Sequence, residues 1–329
     1  MIKILYIRND SLDPHYNLAL EEFALKNLDP EESYIILWQN APSVIIGRFQ
    51  NTIEEINQDF IEKNKINVVR RMTGGGAVYH DLGNLNFSFI EKATGREIDF
   101  RKFTEPVVKA LAKMGINAEH TGRNDITIDN KKFSGNAQYH YKGKVLHHGT
   151  ILFNSKLENV QSALNVKKEK IESKGVKSVR SRVTNIVDYL ENKVPLERFK
   201  ELLLHYLFGE QEIKEYKLSS EEQEKIKKLM EDKYLTWEWN FGASPAFNLR
   251  KGFHFPGGNI DFLFNVEGGI IKNCTIFGDF FSNYDVATLA DKFKGIKYHK
   301  EDIARLIQEE NLEKYFGQIS KESLIQSLF

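Results

Sequence analysis

The densest group of chemically capable residues is the run Arg70-Arg71-Met72-Thr73-Gly74-Gly75-Gly76-Ala77-Val78-Tyr79-His80-Asp81. Its glycines expose backbone N–H groups and let a ligand come close to the main chain. The adjacent arginines supply charge and a donor fork that suit phosphate. The standard nucleotide motifs do not fit. No G-x-x-x-x-G-K-[ST] occurs, and Tyr79 breaks the G-x-G-x-x-G spacing. Taken alone, the run also reads as a flexible turn with surface arginines.

Other groups add to it. Lys132 begins a small-residue segment, Phe133-Ser134-Gly135-Asn136-Ala137. A surface lysine usually does nothing. A functional one would place a mobile point charge on an α-phosphate and a carboxylate together, where charge builds up in acyl activation. His147-His148-Gly149-Thr150 looks metal-binding at first sight. Neighbouring residues on a strand face opposite ways, so one packed and one site-facing histidine is the preferred reading. In Gly122-Arg123-Asn124-Asp125 the last two are ordinary turn formers. Asp125 is also a candidate Mg²⁺ ligand, with carboxylate oxygen completing a set that includes phosphate. The basic stretch from Lys174 through Ser178, Arg180 and Arg182 is either a solvated loop or a flap that closes over an anion.

The elements that must position these residues fit a soluble chain of 329 residues, long enough for one large domain or two ordinary ones. Lys and Arg number 46 and so do Asp and Glu, which argues against a strong nucleic-acid or polybasic membrane binder. A single cysteine, Cys274, excludes an intramolecular disulfide and a thiolate zinc cluster. No segment approaches the roughly 18 apolar residues of a membrane span, and a cytoplasmic protein is expected.

Strands are expected at 2–8, 34–38, 43–46 and 66–69, and three more between 125 and 153. Asp13-Pro14 opens a helix, with Asp as N-cap and Pro in the first turn. Thr52 with Glu55 reads as a capping box for a helix carrying Ile53, Ile56 and Phe60. Further helices are expected at 104–114, 196–207 and 220–233. Gly and Pro crowd 242–258 after the aromatic run at 237–241, marking a boundary. A hairpin at 259–278 and amphipathic helices at 284–294, 300–310 and 320–328 complete the chain.

In order, Asp13-Pro14 with Asn17-Leu18-Ala19 and Glu21-Glu22, Leu37-Trp38, Ile46-Gly47-Arg48 with Gln50-Asn51, and Arg70 to Asn84 resemble the lipoate–protein ligase A family. Gly122 to Asp125, Lys132 to Ala137, His147 to Thr150, 174–185 and Trp237 to Phe247 continue the series. The resemblance implies an α+β fold. A large mixed-sheet domain of the class II aminoacyl-tRNA synthetase and biotin ligase type would cover 1–247. A linker at 248–258 would lead to a small α/β accessory domain at 259–329, which would swing between two half-reactions.

It also implies an activity. Lipoate would attack ATP, with Mg²⁺, to give lipoyl-AMP and pyrophosphate. A lysine of an apo lipoyl domain or glycine-cleavage H protein would then take the lipoyl group as an amide. Lys132 matches the family's essential lysine. Arg71, Gly74, Gly75, Gly76, Ala77, Val78, Tyr79, Asn124, Asp125, Ala137, His148 and Gly149 match the nucleotide and adenylate contacts, with Ser178, Arg180 and Arg182 on a closing loop. Trp38, Arg48, Asn51, Arg70 and Gly135 are expected near the lipoyl pocket. A monomer is expected. An apolar tunnel separates similar tails by only about 1–3 kcal/mol, so octanoate is expected as a possible second substrate.

Rival readings differ in chemistry. Acyltransferases of this fold work through a cysteine thioester, and residues 1–273 contain no cysteine. A transferase that uses only preformed lipoyl-AMP would carry the same motifs. A non-catalytic lipoate or adenylate sensor that docks on carriers is the other class; Lys132, the glycine loop and the basic flap together argue against it, since a pure docking module needs none of the three.

Overall fold

The computed structural model describes residues 4–95, 98–121, 124–164, 183–209, 212–241, 249–267, 269–298 and 300–329, leaving aside the side chains at 53, 54 and 58. Ser178, Arg180 and Arg182 lie outside the described residues.

The first strands are β1 (Ile4–Arg8), β2 (Ser33–Trp38), β3 (Ser43–Ile46), β4 (Asn67–Arg70), β5 (Val78–His80) and β6 (Asn84–Lys92). They are followed by β7 (Glu119–Thr121), β8 (Asp125–Ile128), β9 (Lys131–Tyr141), β10 (Lys144–Leu152) and β11 (Lys214–Glu215). Eight of them form one mixed sheet in the order β11-β1-β2-β6-β10-β9-β8-β7. β1 runs parallel to both neighbours, β7 to β10 form an antiparallel meander, and β6 pairs antiparallel with β10. A smaller sheet, β4-β3-β5, carries the glycine run between β4 and β5.

Helices α1 (Pro14–Asn27), α2 (Thr52–Glu55), α3 (Gln58–Lys63), α4 (Phe100–Lys113), α5 (Leu157–Ala163), α6 (Leu196–Phe208) and α7 (Ser220–Leu229) follow in chain order. β2 is buried along its whole length because both faces are covered. Its even residues, Ile36 and Trp38, pack with Leu18, Leu25 and Tyr234 on the α1 face. Its odd residues, Ile35 and Leu37, pack with Val107, Leu111 and Phe199 of α4 and α6 on the other. Asp13 caps α1 as expected, accepting from the His15 amide at 2.9 Å.

The C-terminal unit has its own core. β12 (Leu249–Phe255), β13 (Gly258–Glu267) and β14 (Ile270–Gly278) form an antiparallel sheet. Phe262, Phe264, Phe293, Ile303 and Leu324 fill the space between it and the last helices. This unit sits against the first. Phe49 stacks on Phe280 at 5.0 Å, and the Gly75 amide donates to the Phe280 carbonyl at 3.1 Å. Cys274 lies on β14, where burial pushes its thiol up, away from thiolate chemistry.

Some expectations meet a different structure. The range 248–258 is not a linker: residues 249–255 form β12, paired along its length with β13. Exposure alternates along that strand, and this period of two outweighs Gly252 as a breaker. The capping box at Thr52 is absent. Asn51 occupies the N-cap, and the Thr52 hydroxyl donates to the Asn240 carbonyl at 2.6 Å. The single helix expected from Thr52 is two short ones, α2 and α3. The helix expected at 104 begins at Phe100, capped by Asp99 on the Lys102 amide.

Arg70 explains why distant loops meet here. Its guanidinium donates to the carbonyls of Gly47, Arg48 and Gln50, to Trp239 and Asn240, and to the Thr52 hydroxyl, at 2.7–3.3 Å. The Trp239 indole returns a bond to the Arg70 carbonyl at 2.8 Å. Truncation would strand several buried acceptors, each costing about 1–3 kcal/mol. Arg70→Ala is expected to lower the unfolding free energy by about 3 kcal/mol or more in urea, and Arg70→Lys to restore little of it, because an ammonium cannot reproduce the planar fork.

Candidate active site

A cavity of about 130 Å³ opens on the α1 face of the large sheet. Register explains its long axis. Trp38 of β2 lies opposite Asn86 of β6, and Asn86 opposite Thr150 of β10. One row along, Ser88 faces His148, and His148 faces Ala137 of β9. Opposed residues share a face, so these side chains form one floor. Three inter-strand steps separate β2 from β9, about 14 Å. Leu18, Ile45, Val78 and His80 close the Trp38 end, while Asn124, Lys132, Gly135 and Asn136 line the other.

Alternation from Gly135 and Ala137 would place Lys132 on the opposite face. A bulge reverses this. Ile126 pairs with Ser134 but Thr127 pairs with Lys132, so Phe133 is an extra residue. Phe133 turns into the α4 core, and Lys132 returns to the cavity face. Its Nζ folds back over Gly135, 3.0 Å from where a Cβ would stand there, and pairs with Asp125 at 2.7 Å. The Lys132 carbonyl accepts from the Thr184 amide at 3.0 Å, anchoring the segment that follows the basic stretch.

Arg71 has a role its type did not announce. It is buried, and its donors go to the Ile45, Gly74 and Gly76 carbonyls and the Thr73 hydroxyl at 2.7–3.1 Å. It shapes the glycine loop from within. Burial pulls both guanidiniums, Arg70 and Arg71, down to about 10, so both remain charged at neutral pH. The Thr73 hydroxyl, accepting from Arg71, is left to donate to His148 Nε2 at 2.8 Å. His148 Nδ1 then donates to the buried Glu21 carboxylate at 2.9 Å. Glu21 also accepts from Ser88, whose Oγ accepts from the Trp38 indole at 2.7 Å. His148 thus faces the cavity. His147 points into the core against Phe103, with its ring nitrogens bonded to Gln138 and Asn136.

Of the residues picked from sequence, the cavity brings together Trp38, Arg71, Gly75, Gly76, Ala77, Val78, Asn124, Lys132, Gly135, Ala137, His148 and Gly149. Asp125 joins through Lys132. Gly74 packs instead against the Phe280 carbonyl, and Tyr79 lies in the β3–α5 core with its hydroxyl on Asn159. Arg48 pairs with Asp285 at 3.1 Å and stands over the Tyr139 ring, and neither Asn51 nor Arg70 lines the cavity. Sequence reasoning missed Leu18, Ile45, His80, Asn86, Asn136, Thr150 and Phe281 as lining residues. Leu18, His80, Asn136 and Thr150 lay inside quoted motifs. Phe281 carried no local signal, because it reaches the cavity only through the packing of the C-terminal unit. Among the described residues no cluster of three or more His, Cys, Asp or Glu side chains could hold a metal ion. A single carboxylate, Asp125, does suit Mg²⁺ that arrives with phosphate and keeps much of its water.

The arrangement is an apolar slot with a lysine at one end beside main-chain donors. The chain is similar to known proteins along its whole length. Residues 13–208 match the lipoyl protein ligase A/B catalytic domain, and 244–328 match the bacterial lipoate protein ligase C-terminus. The chain is 48% identical over 331 residues to lipoate-protein ligase LplJ of Bacillus subtilis, covering 99% of this chain and all of that one. Among solved structures, LipL1 of P. falciparum, in complex with lipoate, is 29% identical with a TM-score of 0.77, covering 94% and 95% of the two chains. A lipoate-protein ligase A bound with ATP is also 29% identical, with a TM-score of 0.64, covering 73% and 98%. This chain belongs to the lipoate–protein ligase family.

Two buried histidines make stability depend on pH. Burial, then the positive charge of Arg71, hold His80 down at about 3, and burial holds His147 well below its ordinary range. Both are neutral in the folded protein and protonate readily once unfolded. Their contribution is therefore complete above pH ~6.5 and is lost as pH falls. The unfolding free energy is expected to drop by up to about 1.4 kcal/mol per pH unit for each histidine between pH ~6 and ~4.5. Urea midpoints read across that window test this, and a flat profile contradicts it.

Proposed function

We propose that this chain activates lipoate with ATP and transfers the lipoyl group to a lysine of an apo lipoyl carrier. The observation that carries the reading is Lys132 at one end of a slot whose surface is mostly apolar. The lipoate carboxylate would lie at Lys132 Nζ, with the tail along the floor toward Trp38. A carboxylate oxygen attacks the α-phosphorus of ATP and pyrophosphate leaves. Lys132 offsets the charge that gathers on the entering and α-phosphate oxygens. Loop amides at Gly76–Val78 and the Asn124 side chain would orient the nucleotide. Asp125 would hold Mg²⁺, which neutralises phosphate charge when bound.

In the second step the carrier lysine's amine attacks the lipoyl carbonyl, and AMP leaves. Lipoyl domains and the H protein are the carriers that the family resemblance implies, each taking the lipoyl group on a lysine. An acyl-adenylate must be kept from water. Ser178, Arg180 and Arg182 would serve that closure, on a segment tethered by Ile56 to Leu164 before it and by Lys132 to Val183 after it. The catalytic unit would extend to 247 and act as a cytoplasmic monomer.

Lipoate-dependent ATP–pyrophosphate exchange tests the first step. The wild type is expected to exchange, and Lys132→Ala to lose at least about 100-fold, the usual scale for removing one charge-stabilising donor. A wild type that lipoylates a carrier only from supplied lipoyl-AMP would be a transferase instead.

A further inference from the structure

The Lys132 end of the cavity is braced from behind, on the α4 side of the sheet. Asn136 of β9 opposes Gly149 of β10, which opposes Phe87 of β6, and Phe87 belongs to the α4 core. The Asn136 side chain therefore turns away from the face that Gly135 and Ala137 present, toward His147. Its hydrogen bonds fall in one order. The Asp99 carbonyl, at the start of α4, accepts from Gln138 Nε2 at 2.5 Å, so it is the amide nitrogen of Gln138 that also meets His147 Nδ1 at 3.0 Å. Nδ1 must then accept, and the ring proton sits on Nε2, 3.2 Å from Asn136 Oδ1. With its oxygen engaged, Asn136 turns Nδ2 to the Asn124 carbonyl at 3.1 Å and to the Ser134 hydroxyl at 3.2 Å. The Asn124 carbonyl also accepts from the Asn136 amide at 2.9 Å, and Asn124 Nδ2 donates back to the Asn136 carbonyl at 2.7 Å. Gly149 makes room for this clamp, since a Cβ there would stand 2.2 Å from Asn136 Oδ1.

We propose that Asn136 is a positioning residue of the nucleotide subsite, acting through Asn124. This deepens the functional reading above and rests on the nucleotide subsite it assigns. Asn124 lines the cavity but stands just before β8, outside the regular ladder, and the clamp from Asn136 is what fixes it. With Nδ2 spent on the Asn136 carbonyl, Asn124 presents Oδ1, which has no partner among the described residues, as an acceptor for a donor group of the nucleotide. An unclamped amide would rotate and offer either end, and binding would have to order it at an entropic cost. Lipoate meets none of this. Its carboxylate is set by Lys132, and its tail runs along the floor toward β2, away from Asn124. Loss of the clamp therefore weakens the nucleotide and spares the acid.

Calorimetric titration with the Mg²⁺ complex of an ATP analogue whose α–β bridge is a methylene, and separately with lipoate, reads the two ligands without turnover. Asn136→Leu keeps the shape and removes every side-chain hydrogen bond. It is expected to weaken analogue binding at least about fivefold, the scale of a single hydrogen bond, and to change lipoate binding by less than about twofold. A double-mutant cycle shows whether the effect passes through Asn124. In the Asn124→Ala background, Asn136→Leu should weaken the analogue by less than about twofold further. Equal weakening of both ligands, no weakening of the analogue, or full additivity with Asn124→Ala overturns the proposal and leaves Asn136 a structural residue. Should Asn136→Leu fail to fold, Asn136→Ser takes its place under the same expectations. A wild type that binds the analogue yet shows no lipoate-dependent exchange removes the activation step and leaves this inference standing, whereas one that binds no analogue removes both.

Discussion

The site depends on one buried guanidinium. Arg71 sits beneath the glycine loop with no carboxylate in direct contact among the described residues, so the loop must turn its carbonyls inward to satisfy it. Burying a charge without such partners costs several kcal/mol. With the Gly74 and Gly76 carbonyls committed to Arg71, the loop between β4 and β5 has little freedom, and its last residues form one wall of the cavity. The charge is answered at a distance, through the Thr73 hydroxyl and His148, by Glu21 on α1. One polar chain therefore ties the loop, β10 and α1 together. It also sets the orientation of His148 in the middle of the slot.

A second consequence concerns the C-terminal unit. The Gly74 position stands 2.4 Å, measured from an ideal Cβ, from the Phe280 carbonyl, so only glycine admits that approach. The loop that Arg71 shapes is thus also the seat on which Phe280 and Phe281 rest. Phe281, packed edge-on to Phe100 at 5.2 Å, becomes part of the cavity wall. The mouth of the site is in this way built from residues about 200 positions apart in sequence.

Much of this was legible from residue types and spacing. Alternation and turn signals located most strands of the large sheet, and Asp13-Pro14 marked the start of α1. The paired histidines separated into one core and one cavity residue, as strand geometry requires. What was not legible depends on contacts across the chain. Arg70 and Arg71 advertise phosphate, and only burial reveals them as staples whose donors are spent on carbonyls. Thr52 looks like a cap, but its hydroxyl serves Asn240. The bulge at Phe133, which decides the face on which Lys132 emerges, follows from pairing with β8 and leaves no mark in the local pattern. His80 was hidden for the same reason. Its ring is held by Asn40, and Asn40 by Asn17, residues 40 and 63 positions away.

The most direct measurement of the central claim is a crystal structure with lipoate bound. The account predicts the carboxylate within hydrogen-bond reach of Lys132 Nζ and the dithiolane against Trp38, spanning the floor from β9 to β2. Lipoate bound in the reverse sense, or outside the slot beneath the glycine loop, would contradict it.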